Sequence, residues 1–212
     1  MIFCRPSTVA SALTRRRLDV ALLALMLLTL PMLMVGCNAS QTRSNVQMRS
    51  VADRSERIDA RFDSGMYRQD DESSATMILL RGPAEQPTKA MVVRLHWVPR
   101  AGATPLESSA TNATMHYIIF GEGEASPVAI YSAAGFVFPR DRLGRDTLRV
   151  RLLDAKAHLA DAADGFDDRI GPSRLSGDMT VAHDPEATSG LLDQIHALIH
   201  ERLGRPRLVL GE

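Results

Sequence analysis

Thiols are almost absent from this chain of 212 residues: its two cysteines are Cys4 and Cys37. The part of the chain beyond residue 37 therefore holds no intramolecular disulfide and must be stable through an apolar core, which a body of this size can build. Lysine is nearly missing too, Lys89 and Lys156 being the only two, so the cationic side chains are almost all arginine. An excess of either charge is also lacking, with 25 basic groups against 25 acidic ones. That balance removes the basic surplus on which binding to a phosphate backbone depends, so no nucleic-acid partner is expected. Catalytic signatures are missing as well. There is no Gly-x-Ser-x-Gly elbow, no phosphate-cradling glycine loop and no thiol beyond residue 37 for nucleophilic attack, and no cofactor is expected.

Long hydrophobic runs are limited to one. Arg15, Arg16 and Arg17 precede an uncharged apolar stretch from Val20 to Val35, the order of a basic region and an apolar region in an export signal. As a helix this stretch reaches roughly 24 Å, short of the roughly 30 Å hydrocarbon core, and Pro31 interrupts it, so a permanent span is not expected. The run ends in Leu33-Met34-Val35-Gly36-Cys37. That ending resembles the lipobox of bacterial lipoproteins, in which a small residue precedes a modified cysteine; the usual leucine three places before the cysteine is here Met34, with Leu33 one place earlier. The resemblance implies cleavage before Cys37, a diacylglycerol on its thiol and an acylated amino terminus, hence a partner in the membrane itself. Asn38 stands where, in that family, an aspartate favours inner-membrane retention, so the implied place is the outer membrane, facing the periplasm. The leader carries four arginines and one aspartate, so its removal leaves a mildly acidic protein. The chain divides into a signal peptide (1–36), a lipidated terminus and flexible tether (37–56) and a single body (57–212), the tether being rich in Ser, Gln, Asn, Thr and Arg.

Within the body the apolar pattern is mostly period two. Ile58, Ala60 and Phe62 alternate with charged neighbours; the run from Ala75 to Leu80 comes after an acidic turn; Val93, Leu95 and Trp97 share one face, with Arg94 and His96 on the other. Two further strands are expected over 114–120 and 128–138, the second with Gly135 at a bulge or a close approach of another backbone. Leu148, Val150 and Leu152 alternate with Arg149 and Arg151, and the shift in parity to Ala155 and Ala157 predicts a bulge near Leu153. Residues 161–177 read as a loop and 179–183 as a last short strand. Leu191, Leu192, Ile195, Leu198, Ile199 and Leu203 then recur at helical spacing, after cap candidates at 184–189 and before Gly204. The expected fold is mainly β (α+β): an antiparallel sheet or sandwich-like body of six or seven strands with one C-terminal amphipathic helix.

Candidate chemistry is sparse. His196 and His200 are four apart on that helix, a spacing that can share a metal, but Ala197 stands where a zinc peptidase carries its glutamate. Both histidines fall opposite the apolar stripe, as a solvated face would, and no metal ligand is assigned. Asp161, Asp164, Asp167 and Asp168 lack calcium-loop spacing and read as an acidic turn-rich loop. His96 and His116 lie on separate strands, where a pair across the sheet is conceivable, and Arg94, Arg149 and Arg151 are outward positions on a solvated face. The expected function is that of a membrane-anchored envelope lipoprotein whose body binds or scaffolds another envelope component without catalysis. The alternatives are an envelope hydrolase with a carboxylate or metal-histidine site and a carrier of a small apolar ligand.

Overall fold

The computed structural model describes residues 43–100, 110–121 and 127–204; the stretch read as an export signal and Cys37 lie outside them. Nine strands, β1 (Ser44–Ser50), β2 (Arg57–Phe62), β3 (Ser64–Gln69), β4 (Ala75–Arg81), β5 (Lys89–Leu95), β6 (Ala113–Ile119), β7 (Ala129–Pro139), β8 (Thr147–Ala162) and β9 (Ser173–His183), precede the helix α1 (Pro185–Leu203). The body is mainly β with one C-terminal helix, as the periodicity predicts. Its strands form a single sheet in the order β2-β1-β9-β3-β4-β5-β6-β7-β8, and β8 pairs back onto β9. The sheet thereby closes on itself. Along one edge β9 pairs with β8; its other edge is shared by β1, along 173–178, and by β3, the one parallel neighbour, at Ala182 and His183. Following directly opposed residues from Ala182 through Met66, Ile78, Val92, His116, Ser132 and His158 leads back to β9 near Ser173, the stagger that closing a barrel requires.

Two apolar layers result from this closure. Tyr67, Met77, Met91, Met115, Tyr117 and Leu148, all buried, point inward and fill the ring. On the outside, Ile78, Leu80, Val92, Ile118, Phe120 and Ile130 form a second core under Ile195 and Ile199 of α1. β4 consequently reads as an unbroken apolar run, because one of its faces meets the interior and the other meets the helix. Asp184 caps α1 by accepting from Ala187 N at 2.9 Å, Pro185 opens it, and Gly204 ends it in the left-handed region with φ 66°.

The predicted irregularities are present and face each other. The β8 register slips between Leu152 and Ala155, and Asp154 takes φ 46°, so Leu153 and Asp154 are both exposed before the inward parity resumes at Ala155. Opposite, a Cβ on Gly135 would lie 2.5 Å from Ala155 Cα, so the neighbouring backbone leaves room only for glycine.

Nine strands form where six or seven are expected, and β3 and β9 pair in parallel in an otherwise antiparallel sheet. Two boundaries also change. Ser44–Ser50, placed in the tether by its polar composition, is a strand: Val46 and Met48 are buried, Asn45 and Arg49 face out, and β1 is hydrogen-bonded on both edges, by β2 and by β9. Two apolar residues alternating with polar ones are a faint signal that pairing on both sides makes decisive. The last strand likewise starts at Ser173, since Leu175 turns inward while Arg174 and Ser176 face out.

Candidate functional site

One flank of α1 and the outer face of β6–β8 bring together three of the histidines of the body, His116, His158 and His196. His116, Ser132 and His158 are directly opposed on β6, β7 and β8. Ser132 Oγ and His116 Nδ1 share a hydrogen bond of 3.2 Å. Nearby His196 of α1 has its Nε2 buried, with no hydrogen-bond partner among the described residues. Burial, and secondarily the proximity of His196, hold His116 below its ordinary value of 6.5. The pair is the first half of a serine–histidine arrangement. No carboxylate hydrogen-bonds His116 among the described residues, so nothing there orients the ring or stabilises an imidazolium.

This corner predicts a pH dependence. Because the folded chain holds His116 neutral more strongly than the unfolded chain does, the unfolded chain takes up the proton first as pH falls. The contribution of His116 is therefore complete above 6.5 and is lost progressively below it. A His116→Gln chain is expected to show a shallower loss of stability on acidification below 6.5, read from urea midpoints across that range. Equal slopes in the two proteins would remove His116 as the source.

A second arrangement lies on the outer wall of β8, β9, β1 and β2. Arg57 is directly opposite Arg49, Arg49 opposite Arg174, and Arg174 opposite Lys156, a single row of cations across four strands. Like charges so placed destabilise a sheet by about 0.2–1 kcal/mol for each juxtaposition. Asp59 offsets Arg57 at 3.2 Å and Asp154 pairs with Arg174; the Arg49 guanidinium donates to Gln47 Oε1, and Lys156 has no carboxylate partner among the described residues. Beyond the intervening row of Asp59, Gln47 and Ser176, Arg61, Asn45, Asp178 and Arg151 are opposed, and Asp178 is drawn to Arg140 at 3.2 Å. Between the rows runs an open groove of about 460 Å³ around Gly177, lined by Gln47, Asp59, Arg61, Ser176 and Asp178 among others.

The wall continues into aromatic surface. Phe138 is opposite Arg151 and Phe136 opposite Leu153 on β8. Phe136 stacks on Phe138 with centroids 5.7 Å apart, Trp97 packs edge-on against Phe136 at 5.9 Å, and Leu153 is 43% exposed at the bulge.

The residues singled out from sequence are dispersed. Arg149 is held in a two-pronged pair by Asp141, with both bonds at 2.9 Å, which keeps the Asp141 carboxyl at about 2. Arg94 and His96, the latter 3.1 Å from Thr114 Oγ1, are separated from Arg149 and Arg151 by β6 and β7. His116 turns to Ser132 and His196, so the conceivable pair with His96 is not formed. His200 and Asp193 are exposed as a polar face should be, whereas His196 is half-buried. In the acidic loop Asp168 accepts from the Tyr131 hydroxyl at 2.7 Å and from Gly171 N at 3.0 Å, which ties the loop to the ring. No cluster of three or more metal-ligating side chains forms among the described residues. The cation row has no signature in the sequence, because Arg57 and Lys156 become members of one row only through register. Comparison with protein-family models, curated proteins and solved structures finds no match.

Proposed function

We propose that this chain is a lipid-anchored envelope protein whose barrel acts as a non-catalytic binding or scaffolding body at the membrane surface. The observation that carries the reading is the position of β1. Ser44 lies seven residues beyond Cys37, a distance of at most about 25 Å when fully extended. Hydrogen bonds on both edges of β1 continue that short connection directly into the ring. A lipid on Cys37 would thus hold a rigid body close to the bilayer rather than a domain on a long leash. The ring interior is filled by Met77, Met91, Met115 and Tyr117, which favours an outward-facing binding surface over an enclosed apolar ligand.

Mass spectrometry of the protein from its native membranes, with Cys37→Ala alongside, tests the anchor. The expected terminus is Cys37 carrying diacylglycerol and an acyl chain, with uncleaved precursor accumulating for Cys37→Ala. A retained leader or an unmodified Cys37 would overturn it. Crosslinking in intact cells should then recover a discrete envelope partner with the wild type and not with Cys37→Ala.

A further inference from the structure

We propose that the wall of β8, β9, β1 and β2 docks on an anionic phospholipid surface, with Trp97, Phe136 and Phe138 at headgroup level. The inference rests on the anchor reading for the orientation of the body, while the wall's own preference for anionic lipid stands on the surface chemistry.

Four observations converge. The row Arg57, Arg49, Arg174 and Lys156 places like charges in direct opposition; Asp59 and Asp154 offset two of them, and a layer of phosphates relieves the repulsion that remains at Arg49 and Lys156. Arg61 and Arg151 extend the cationic area and, like Lys156, have no carboxylate partner among the described residues, although the chain as a whole carries no net charge. On this wall Arg49, Arg57, Arg61, Arg151, Arg174 and Lys156 outnumber Asp59, Asp154 and Asp178. An aromatic and aliphatic lip of Trp97, Phe136, Phe138 and Leu153 adjoins it through the opposed pairs on β7 and β8, and amphipathic rings beside basic side chains suit the membrane–water interface. Finally, Arg43, exposed two residues before Asn45, adds a further cation at the start of β1.

The shape of the surface selects the occupant. The cations are spread across four strands instead of converging on one pocket, and the groove between the rows carries Asp59 and Asp178, which disfavour a single bound anion. The aromatic rings pack against one another, so they do not offer the separate stacking platforms that bind single-stranded nucleic acid.

Trp97 is the only tryptophan in the sequence and reports on the contact directly. The mature protein purified from membranes would be added to phosphatidylcholine vesicles with and without phosphatidylglycerol, each also prepared with brominated chains. The expected result is quenching of Trp97 on the anionic vesicles, falling to the neutral-vesicle level in high salt. In an Arg49→Glu/Lys156→Glu chain of unchanged circular dichroism, the docked-to-undocked ratio should fall on the order of tenfold. Equal quenching on both vesicle types, or an unchanged double variant, overturns the proposal, as does salt-sensitive binding to a DNA oligonucleotide with Trp97 unquenched by lipid. An unmodified Cys37 in a protein whose Trp97 is still quenched on anionic vesicles would remove the anchor and leave the wall standing.

Discussion

Asn112→Ala is expected to cost about 3 kcal/mol, because each buried polar group left without a partner costs about 1–3 kcal/mol. Asn112 is fully buried just before β6, its own main chain bonded to His96 N at 2.8 Å and Gly135 O at 3.2 Å. Its Nδ2 donates to Trp97 O at 3.1 Å and Val137 O at 2.7 Å, and its Oδ1 accepts from Val137 N at 2.7 Å. One side chain therefore stands in for a stretch of backbone, joining the segment after β5 to β7. Alanine abandons three main-chain groups at once. For a body of this size the loss corresponds to a fall in melting temperature of roughly 6–12 °C, measurable by circular dichroism. A fall of only a degree or two would mean that water enters and replaces the amide. Because Trp97 O is one of the three groups, the variant should also loosen the aromatic lip, seen as a red shift of Trp97 emission.

Gly177→Ala is the second large effect, and it is directional. Gly177 lies opposite Val46, and a Cβ there would sit 2.2 Å from Asn45 O and 2.9 Å from Val46 Cα, backbone atoms that no rotamer change can move aside. Either β9 distorts or β1 leaves. The expected cost is about 3 kcal/mol, the upper end for overpacking, taken mainly by the β1–β9 pairing. Limited trypsin digestion should then cut the chain at Arg49, Arg54 or Arg57 well before the rest of the body is attacked. Uniform resistance would show that β1 tolerates the added methyl. Under the proposed anchor at Cys37, losing β1 would lengthen the connection from a few residues to the whole stretch before β2 and free the body from the membrane surface.

Legibility from sequence tracks how local the cause is. β2 and the first half of β8 show alternation within a few residues, β7 is an apolar run bounded by prolines, and α1 shows its stripe and both caps, so each can be read directly. The slip at Leu153 is visible because a bulge reverses parity, and Gly135 because a missing side chain inside a strand signals a close neighbour. β1 reads as tether because its strandness comes from β2 and β9, not from Val46 and Met48 alone. The arginines of the wall are recognisable singly as exposed residues, but their opposition to one another depends on register between segments far apart in sequence. His116 and His196 meet for the same reason: one lies on a central strand, and the other is delivered by a helix that crosses the outside of the sheet.

The shared edge of β9 also orders events in time. Ser44 Oγ donates to Thr180 O and accepts from Thr180 N across 136 residues, so the first strand is sewn to the last. β1, β3 and β8 all wait for β9, and no chain that stops short of it can close the ring. Such long-range pairing belongs to the slow class of folding, about milliseconds to seconds, because the loop entropy is spent before the contacts form. A ribosome still making the middle of this protein thus holds a chain that has not locked, and its apolar strands stay open until the final strand arrives.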